Sequence, residues 1–174
     1  MIGNETPHRA GIALGSNLGD RMAHLRAALG ALREIHTPGQ PLLTAPVYQT
    51  EPRHCPPGSP QFLNTVVEIA FNGGPLELLA LTQAAEVRLG REAKPERNAP
   101  RVIDIDILYL GGETLDHPAL TLPHPRIGER RFVLQPLADI RPDLALPGQT
   151  ATIRETLDHL VTDEPPLIVF SEIL

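Results

Sequence analysis

At 174 residues the chain is long enough for one well-cored domain and too short for two ordinary ones. A net charge of −6 and only 3% aromatic residues provide neither a broad basic footprint nor a stacking platform for many bases, which argues against nucleic acid as the partner. Cys55 is the single cysteine, so no intrachain disulfide forms and a reducing cytoplasm fits; the polar start is read as a flexible tail over residues 1–8 and not as a signal peptide, and no apolar run is long enough to cross a membrane.

Residues 9–14 read as a short apolar strand ending in the turn Gly15-Ser16-Asn17-Leu18-Gly19-Asp20. A helix follows to about Ile35, because Met22, Leu25, Leu29 and Leu32 recur at spacings of three and four. The turn is not a P-loop. It either cradles a phosphate on its backbone N–H groups or serves simply as a turn, and the sequence favours neither.

Residues 42–50 read as a second strand, and residues 51–60, with four prolines, as an irregular loop. Residues 62–71 alternate cleanly. Leu63, Val67, Ile69 and Phe71 take one face, and Phe62, Asn64, Val66 and Glu68 the other. A ring and an amide two residues apart thus share a face. Each alone is routine in a strand, but together they supply the stacking and the directed hydrogen bonds that a planar heterocycle requires. Residues 75–89 form the second helix, with proline in its first turn, Leu78, Leu79, Thr82, Ala85 and Leu89 on one face, and Gly90 just past its end.

After a polar loop over residues 91–100 comes Arg101-Val102-Ile103-Asp104-Ile105-Asp106-Ile107-Leu108-Tyr109, which sets two carboxylates in a β-branched run. Alternation sends Val102, Asp104, Asp106 and Leu108 to one face and Ile103, Ile105, Ile107 and Tyr109 to the other, which reads as core. The two Asp stand roughly 6.5 to 7 Å apart at Cα and repel unless a cation lies between them. Magnesium suits hard oxygen ligands on a rigid element and takes phosphate oxygens as further ligands. The plain alternative is a solvated strand face.

Arg88, Arg91, Lys94, Arg97 and Arg101 lead into the pair, and Arg126, Arg130 and Arg131 follow it. Taken singly, these are surface charges that pair with Glu86, Glu92, Glu96 and Glu129. As a cluster beside two carboxylates on an acidic protein, they point to a polyphosphate held by metal and guanidinium groups together. A tail follows, with residues 132–137 apolar and a short helix near residues 153–160. The order strand, helix, strand, strand, helix, strand predicts an α+β ferredoxin-like βαββαβ sandwich, with helices on one face of an antiparallel sheet, a C-terminal extension, and the other face free for ligands.

These pieces resemble the 6-hydroxymethyl-7,8-dihydropterin pyrophosphokinase family of folate biosynthesis. The resemblance runs from Gly15-Ser16-Asn17-Leu18 through Tyr48-Gln49-Thr50, Phe62-Leu63-Asn64, Thr82-Gln83 with Glu86, and Gly90-Arg91. It is most specific over residues 97–106, and continues through Leu122-Pro123-His124 and Arg130-Arg131-Phe132. It implies an enzyme that transfers pyrophosphate from ATP to the 6-hydroxymethyl oxygen and releases AMP. It further implies that Asp104 and Asp106 hold two Mg²⁺ ions and that Phe62 and Phe132 sandwich the pterin, with Asn64, Thr50 and Glu51 at its edge. By the same resemblance Gln83, Glu86, Arg91, Arg101, Ile107, Thr121, His124 and Arg130 contact ATP, and Arg91 and Arg101 serve the reaction with the Asp pair. A carboxylate of the pair lies within reach of the hydroxyl proton, although no side chain is identified as the general base. The implied partners are small molecules only, with no nucleic acid, no membrane, and a monomeric state, in a single domain over residues 1–174.

The chain departs from the family pattern at Ala93, Asn98, Ala99 and Pro125, where Arg, Trp, Gly and an aromatic residue occur in relatives. The first two bear on closure of the loops at residues 53–60 and 91–100 over ATP. Two other readings fit the same residues: a metal-dependent transferase acting on a different acceptor, which turns over without pterin, and a sensor that binds its ligand and releases no AMP.

Overall fold

A computed structural model describes residues 6–52, 55–92 and 100–174. Strand β1 (His8–Ser16) begins at the last residue of the stretch expected as tail. It is followed by α1 (Arg21–Ile35), β2 (Leu43–Thr44), β3 (Val47–Thr50), β4 (Phe62–Phe71), α2 (Pro75–Arg88) and β5 (Asp104–Leu110). These strands lie in the order β5-β1-β4-β3 with antiparallel neighbours, the βαββαβ arrangement that the element order predicts.

Local chemistry explains both crossover helices. The Asp20 carboxylate accepts the Ala23 N–H at 3.0 Å and caps α1, whose Leu25, Ala28, Leu29 and Leu32 are buried. Pro75 opens α2, which buries Leu78, Thr82 and Ala85. Both helices pack on the sheet face that carries Ile12, Leu14, Leu63, Val67, Ile69, Ile105 and Ile107.

Four features differ from the sequence reading. The strand expected over residues 42–50 breaks into β2 and β3 at Ala45-Pro46. Pro46 has no N–H to give the ladder, and the Thr65 hydroxyl donates to the carbonyls of Ala45 and Pro46 at 3.1 and 3.0 Å. In β5 the register slips, so that Gly11 faces Tyr109 while Ile12 faces Ile107. This bulge takes Tyr109 off the Ile face and into a second apolar cluster with Leu108 and Val66.

The third difference is that the opposite sheet face is partly covered. Residues expected as tail form the hairpin β6 (Leu115–His117) and β7 (Leu120–Leu122), a 3-10 turn (Ile127–Glu129) and α3 (Arg131–Ile140), ahead of α4 (Ile153–Asp158), the short helix expected near residues 153–160. α3 and α4 contribute Val133, Leu134, Leu137, Ile153 and Leu157 to the second cluster, so helices lie on both faces. Pro136 lies within α3 and interrupts the helical signal, yet four of its apolar neighbours are buried. The fourth difference is β8 (Ile168–Ser171), which pairs with β3 and extends the sheet beyond the expected four positions.

α3 is held to the sheet by polar contacts as well as packing. The Tyr48 hydroxyl donates to the Asp139 carboxylate. Glu68, buried in β4, takes Arg9 Nε at 2.9 Å on one oxygen, and on the other Arg141 Nη1 at 2.5 Å together with the Tyr109 hydroxyl. Two guanidinium groups and a phenol thus replace the water that burial removes from this carboxylate. Among the described residues no helix is long and apolar enough to cross a membrane.

Candidate active site

The uncovered part of the second face is a cavity of about 550 Å³, floored by β5, β1, β4 and β3 and roofed by the loop from His124 to Val133. Its floor follows from strand register. Gly15 of β1 is paired with Asp104 on one side and Asn64 on the other, and Asn64 with Tyr48. One residue pair along, Ala13 faces Asp106, and in the other direction Phe62 faces Thr50. Directly opposed residues share a face, so the carboxylate pair, the ring and the amide stand on one surface, as alternation predicts.

Asp104, Asp106, Arg101, His124, Arg130, Thr50, Glu51, Phe62, Asn64 and Phe132 all line the cavity. Asn64 is buried and donates through Nδ2 to Thr50 Oγ1 at 2.7 Å, which turns its carbonyl oxygen toward Gly15. Phe62 rises from the sheet floor, and Phe132 comes from the first turn of α3 above it, with the Arg130 guanidinium 5.6 Å from its ring centroid.

Asp104 is flanked by two cations, Arg101 Nη1 at 2.9 Å and Arg91 Nη1 at 3.6 Å. Burial opposes the Arg101 charge, but the hydrogen bond and charge of Asp104, with Asp106 and Glu86 behind it, outweigh this and raise its pKa. Asp106 is surrounded by protein atoms at the cavity floor while its carboxylate opens to the water inside. Burial, then the charges of Asp104 and Glu86, push it up to about 6 against the opposing pull of Arg130 and Arg91. Two carboxylates that repel and face open space are a donor set that fits a hard divalent cation. Among the described residues no group of three or more His, Cys, Asp or Glu gathers, so a cation held here would take at most two side-chain ligands and draw the rest of its shell from elsewhere.

Arg91 reaches this site because of how α2 ends. Gly90 takes a φ of 103°, its N–H bonds the Val87 carbonyl at 3.1 Å, and the Arg91 N–H bonds the Glu86 carbonyl at 3.0 Å, the Schellman pattern. The chain thereby folds back and sets Arg91 Nη1 2.5 Å from the Glu86 carboxylate. Glu86 is buried, and its other oxygen accepts the Ile105 N–H at 2.7 Å. Burial raises its pKa, countered by the Ile105 N–H and Arg91. The chain Glu86–Arg91–Asp104–Arg101 thus ties α2 to the start of β5.

The turn after β1 has a similar structural use. The Asn17 N–H donates to the Arg101 carbonyl at 3.1 Å, and the Asn17 side-chain oxygen accepts the Arg101 N–H at 2.7 Å. These two bonds tie the turn to the segment that leads into the Asp strand. His124 is half-buried, and its Nδ1 accepts the Arg126 N–H at 3.1 Å, so the neutral ring carries its proton on Nε2. Burial, then Arg130 and Arg126, lower its pKa. Burial and Arg126 likewise lower that of Arg130.

Four expected ATP contacts besides Arg91 lie outside the cavity lining. Gln83 and Thr121 are exposed, on α2 and β7, and Glu86 is buried with both oxygens engaged. The Ile107 side chain is in the core, so only its main chain can meet a ligand. The departures Ala93, Asn98 and Ala99, with Lys94, Arg97 and the loop residues 53–54, fall outside the described residues. Conversely, Arg126 and residues 164–168 line the cavity without having been singled out as site residues. A basic residue two positions after His124 was a usable signal for the first; the second had no periodic signature.

Residues 11–142 match the family described as 7,8-dihydro-6-hydroxymethylpterin-pyrophosphokinase. Over 140 residues the chain is 41% identical to the 2-amino-4-hydroxy-6-hydroxymethyldihydropteridine pyrophosphokinase of Pseudomonas aeruginosa, covering 80% of this chain and 84% of that protein. The enzyme of the same name from Bacillus subtilis is 44% identical over 129 residues, covering 74% of this chain and 75% of that one. In fold, the chain is similar to a crystal structure of HPPK-DHPS in complex with substrates, with a TM-score of 0.70 at 15% identity, covering 88% of this chain and 43% of that one. The wild-type Plasmodium falciparum HPPK-DHPS with pteroate gives a TM-score of 0.68 at 15% identity, covering 90% and 45%. The chain thus spans less than half the length of those two proteins. With the βαββαβ sheet and this sequence identity over most of its length, the chain belongs to the 7,8-dihydro-6-hydroxymethylpterin-pyrophosphokinase family.

Proposed function

We propose that this chain transfers pyrophosphate from ATP to the 6-hydroxymethyl oxygen of 6-hydroxymethyl-7,8-dihydropterin and releases AMP, as a step of folate biosynthesis. The observation that carries the reading is the register row Asp104–Gly15–Asn64, which sets a cation-binding group and a heterocycle-reading group on one cavity floor.

In this reading Phe62 and Phe132 stack on the two faces of the pterin, and Asn64, Thr50 and Glu51 meet its edge. Asp104 and Asp106 hold two Mg²⁺ ions, which supply neutralisation of the phosphate oxygens. Arg101, Arg130 and His124 receive ATP within the cavity, with Arg91 beside Asp104, and Gln83, Thr121 and the main chain of Ile107 bound the nucleotide outside it. Glu86 acts through Arg91 as a positioning residue. The hydroxymethyl oxygen attacks the β-phosphorus, the new O–P bond forms, and the bridge to the α-phosphorus breaks. The bridging oxygen leaves with AMP, and the hydroxyl proton is released. Positioning and electrostatics do most of the work in such transfers. We place the protein in the cytoplasm as a monomer, with residues 1–174 as one domain.

The test is AMP release from ATP and Mg²⁺, with and without the pterin, on wild type and on the double variant Asp104→Ala, Asp106→Ala. AMP that appears only with pterin and only with both Asp is the expected result. AMP without pterin would assign a different acceptor, and pterin binding without AMP would make the protein a sensor.

A further inference from the structure

The family match ends at residue 142, yet five consecutive residues far beyond it, 164–168, line the cavity. They lead into β8, whose Ile168 pairs with Gln49 and whose Val169 pairs with Tyr48. The strand order β5-β1-β4-β3-β8 puts this segment at the opposite end of the floor from the Asp pair. Two strand spacings, roughly 9.5 Å, separate β5 from the Asn64 strand, and about as much again separates that strand from β8.

The rest follows from the proposed pyrophosphokinase reading, on which this inference depends. A pterin whose hydroxymethyl group faces Asp104 and Asp106 must direct its other end, the pyrimidine ring with its 2-amino group, across β4 toward β3 and β8. There it meets Pro165, Pro166 and Leu167, side chains that carry no hydrogen-bonding group and, in two cases, a backbone fixed in φ. Such a surface selects by shape. Glu164, at the start of the segment, also lines the cavity, and its charge acts on Arg130, so the segment reaches from the sheet edge toward the roof loop.

We propose that residues 164–168 form the outer wall of the pterin subsite and determine specificity at the pyrimidine end, admitting a free 2-amino group and rejecting a substituted one. Leu167 is half-buried, while Ile168 is 64% exposed and pairs with Gln49, which stands opposite the core residue Leu63, so its side chain takes the other sheet face and serves as a control.

The experiment compares 6-hydroxymethyl-7,8-dihydropterin with its 2-methylamino analogue on wild type, Leu167→Ala and Ile168→Ala, reading kcat, pterin KM and ATP KM. Wild type should disfavour the analogue by about tenfold or more in kcat/KM, and Leu167→Ala should narrow that ratio by about tenfold. Ile168→Ala, on the other sheet face, should leave that ratio within about twofold of wild type. The kcat for the parent pterin and the ATP KM should stay within about twofold, because the wall is remote from the reacting atoms. A ratio unchanged in Leu167→Ala, a ratio narrowed as much by Ile168→Ala, or an analogue accepted equally by wild type, overturns the wall. A fall in kcat and a rise in ATP KM that accompany the pterin effect also overturn it, since they would indicate a general loosening. Absence of pterin-dependent AMP release from wild type is a separate result that removes the reading beneath it.

Discussion

Asp104 and Asn64 flank the same residue, Gly15, across neighbouring strands of one sheet face. A Cβ built on Gly15 would lie 2.8 Å from Asn64 Oδ1, closer than such atoms approach. The absence of a side chain at that point therefore keeps the amide in place between the Asp104 and Phe62 ends of the floor.

Gly15→Ala should accordingly displace Asn64 from Thr50 and raise the pterin KM by about tenfold, the order expected when a directed hydrogen bond to substrate is misaligned. ATP affinity, measured separately by calorimetry with a non-hydrolysable analogue, should change less than about twofold. An equal loss for both ligands would show that the substitution distorts the whole floor.

Asp106→Asn should separate stability from turnover. Burial, Asp104 and Glu86 disfavour the ionised form of Asp106, so removing its charge relieves a cost borne by the folded state. The metal-free variant should melt about 2 °C higher at pH 7.5. Its turnover should fall by about 10³-fold, as expected when charge stabilisation of a transferring phosphate is lost. A lower melting point would show that the pull of Arg130 and Arg91 outweighs the repulsion.

Glu86→Ala removes the acceptor of the Ile105 N–H and the partner of Arg91 together. The expected loss is about 2 to 3 kcal/mol, read from urea unfolding, because a buried donor is left unpaired and a half-buried guanidinium loses the nearer of its two carboxylates. Glu86→Gln keeps an acceptor for Ile105 and should lose less. Both variants should raise the ATP KM, since Arg91 is no longer held beside Asp104. Wild-type stability in Glu86→Ala would mean that water replaces the carboxylate.

His124 gives the pH dependence. Burial, Arg130 and Arg126 lower its pKa, and protonation of Nδ1 would break its bond from the Arg126 N–H. In the folded state it should titrate below the ordinary 6.5, so as pH falls through 6.5 the unfolded chain takes up a proton that the folded chain refuses. Its contribution to stability is therefore present above that pH and lost below it. A nucleotide analogue should move the midpoint upward, because phosphate charge favours the imidazolium. Both midpoints are readable by NMR of the ring protons. An unchanged midpoint with analogue bound would place the phosphates away from His124.

Much of the site was legible in the sequence because it rests on short-range rules. Alternation alone put Asp104 and Asp106 together on one face of β5, and Phe62 and Asn64 together on one face of β4, since successive side chains of a strand point to opposite sides. Proline at the start and glycine past the end bounded α2, and the same glycine explains how Arg91 turns back toward Glu86.

The tertiary structure decided what depends on partners distant in the chain. The bulge that moves Tyr109 off the Ile face arises from pairing with β1, which no pattern within β5 records. The coverage of the second face by α3 depends on Glu68 and Tyr48 meeting Arg141 and Asp139, residues 73 and 91 positions away. The outer wall at residues 164–168 lies at the cavity because β8 adds to the free edge of β3, and an apolar proline-rich segment carries no periodicity that foretells its edge. The sequence by itself determined which residues share a face wherever a strand runs without a bulge, because alternation is local. Which faces meet, and what closes the cavity between them, was decided by the long-range register and packing of the folded chain.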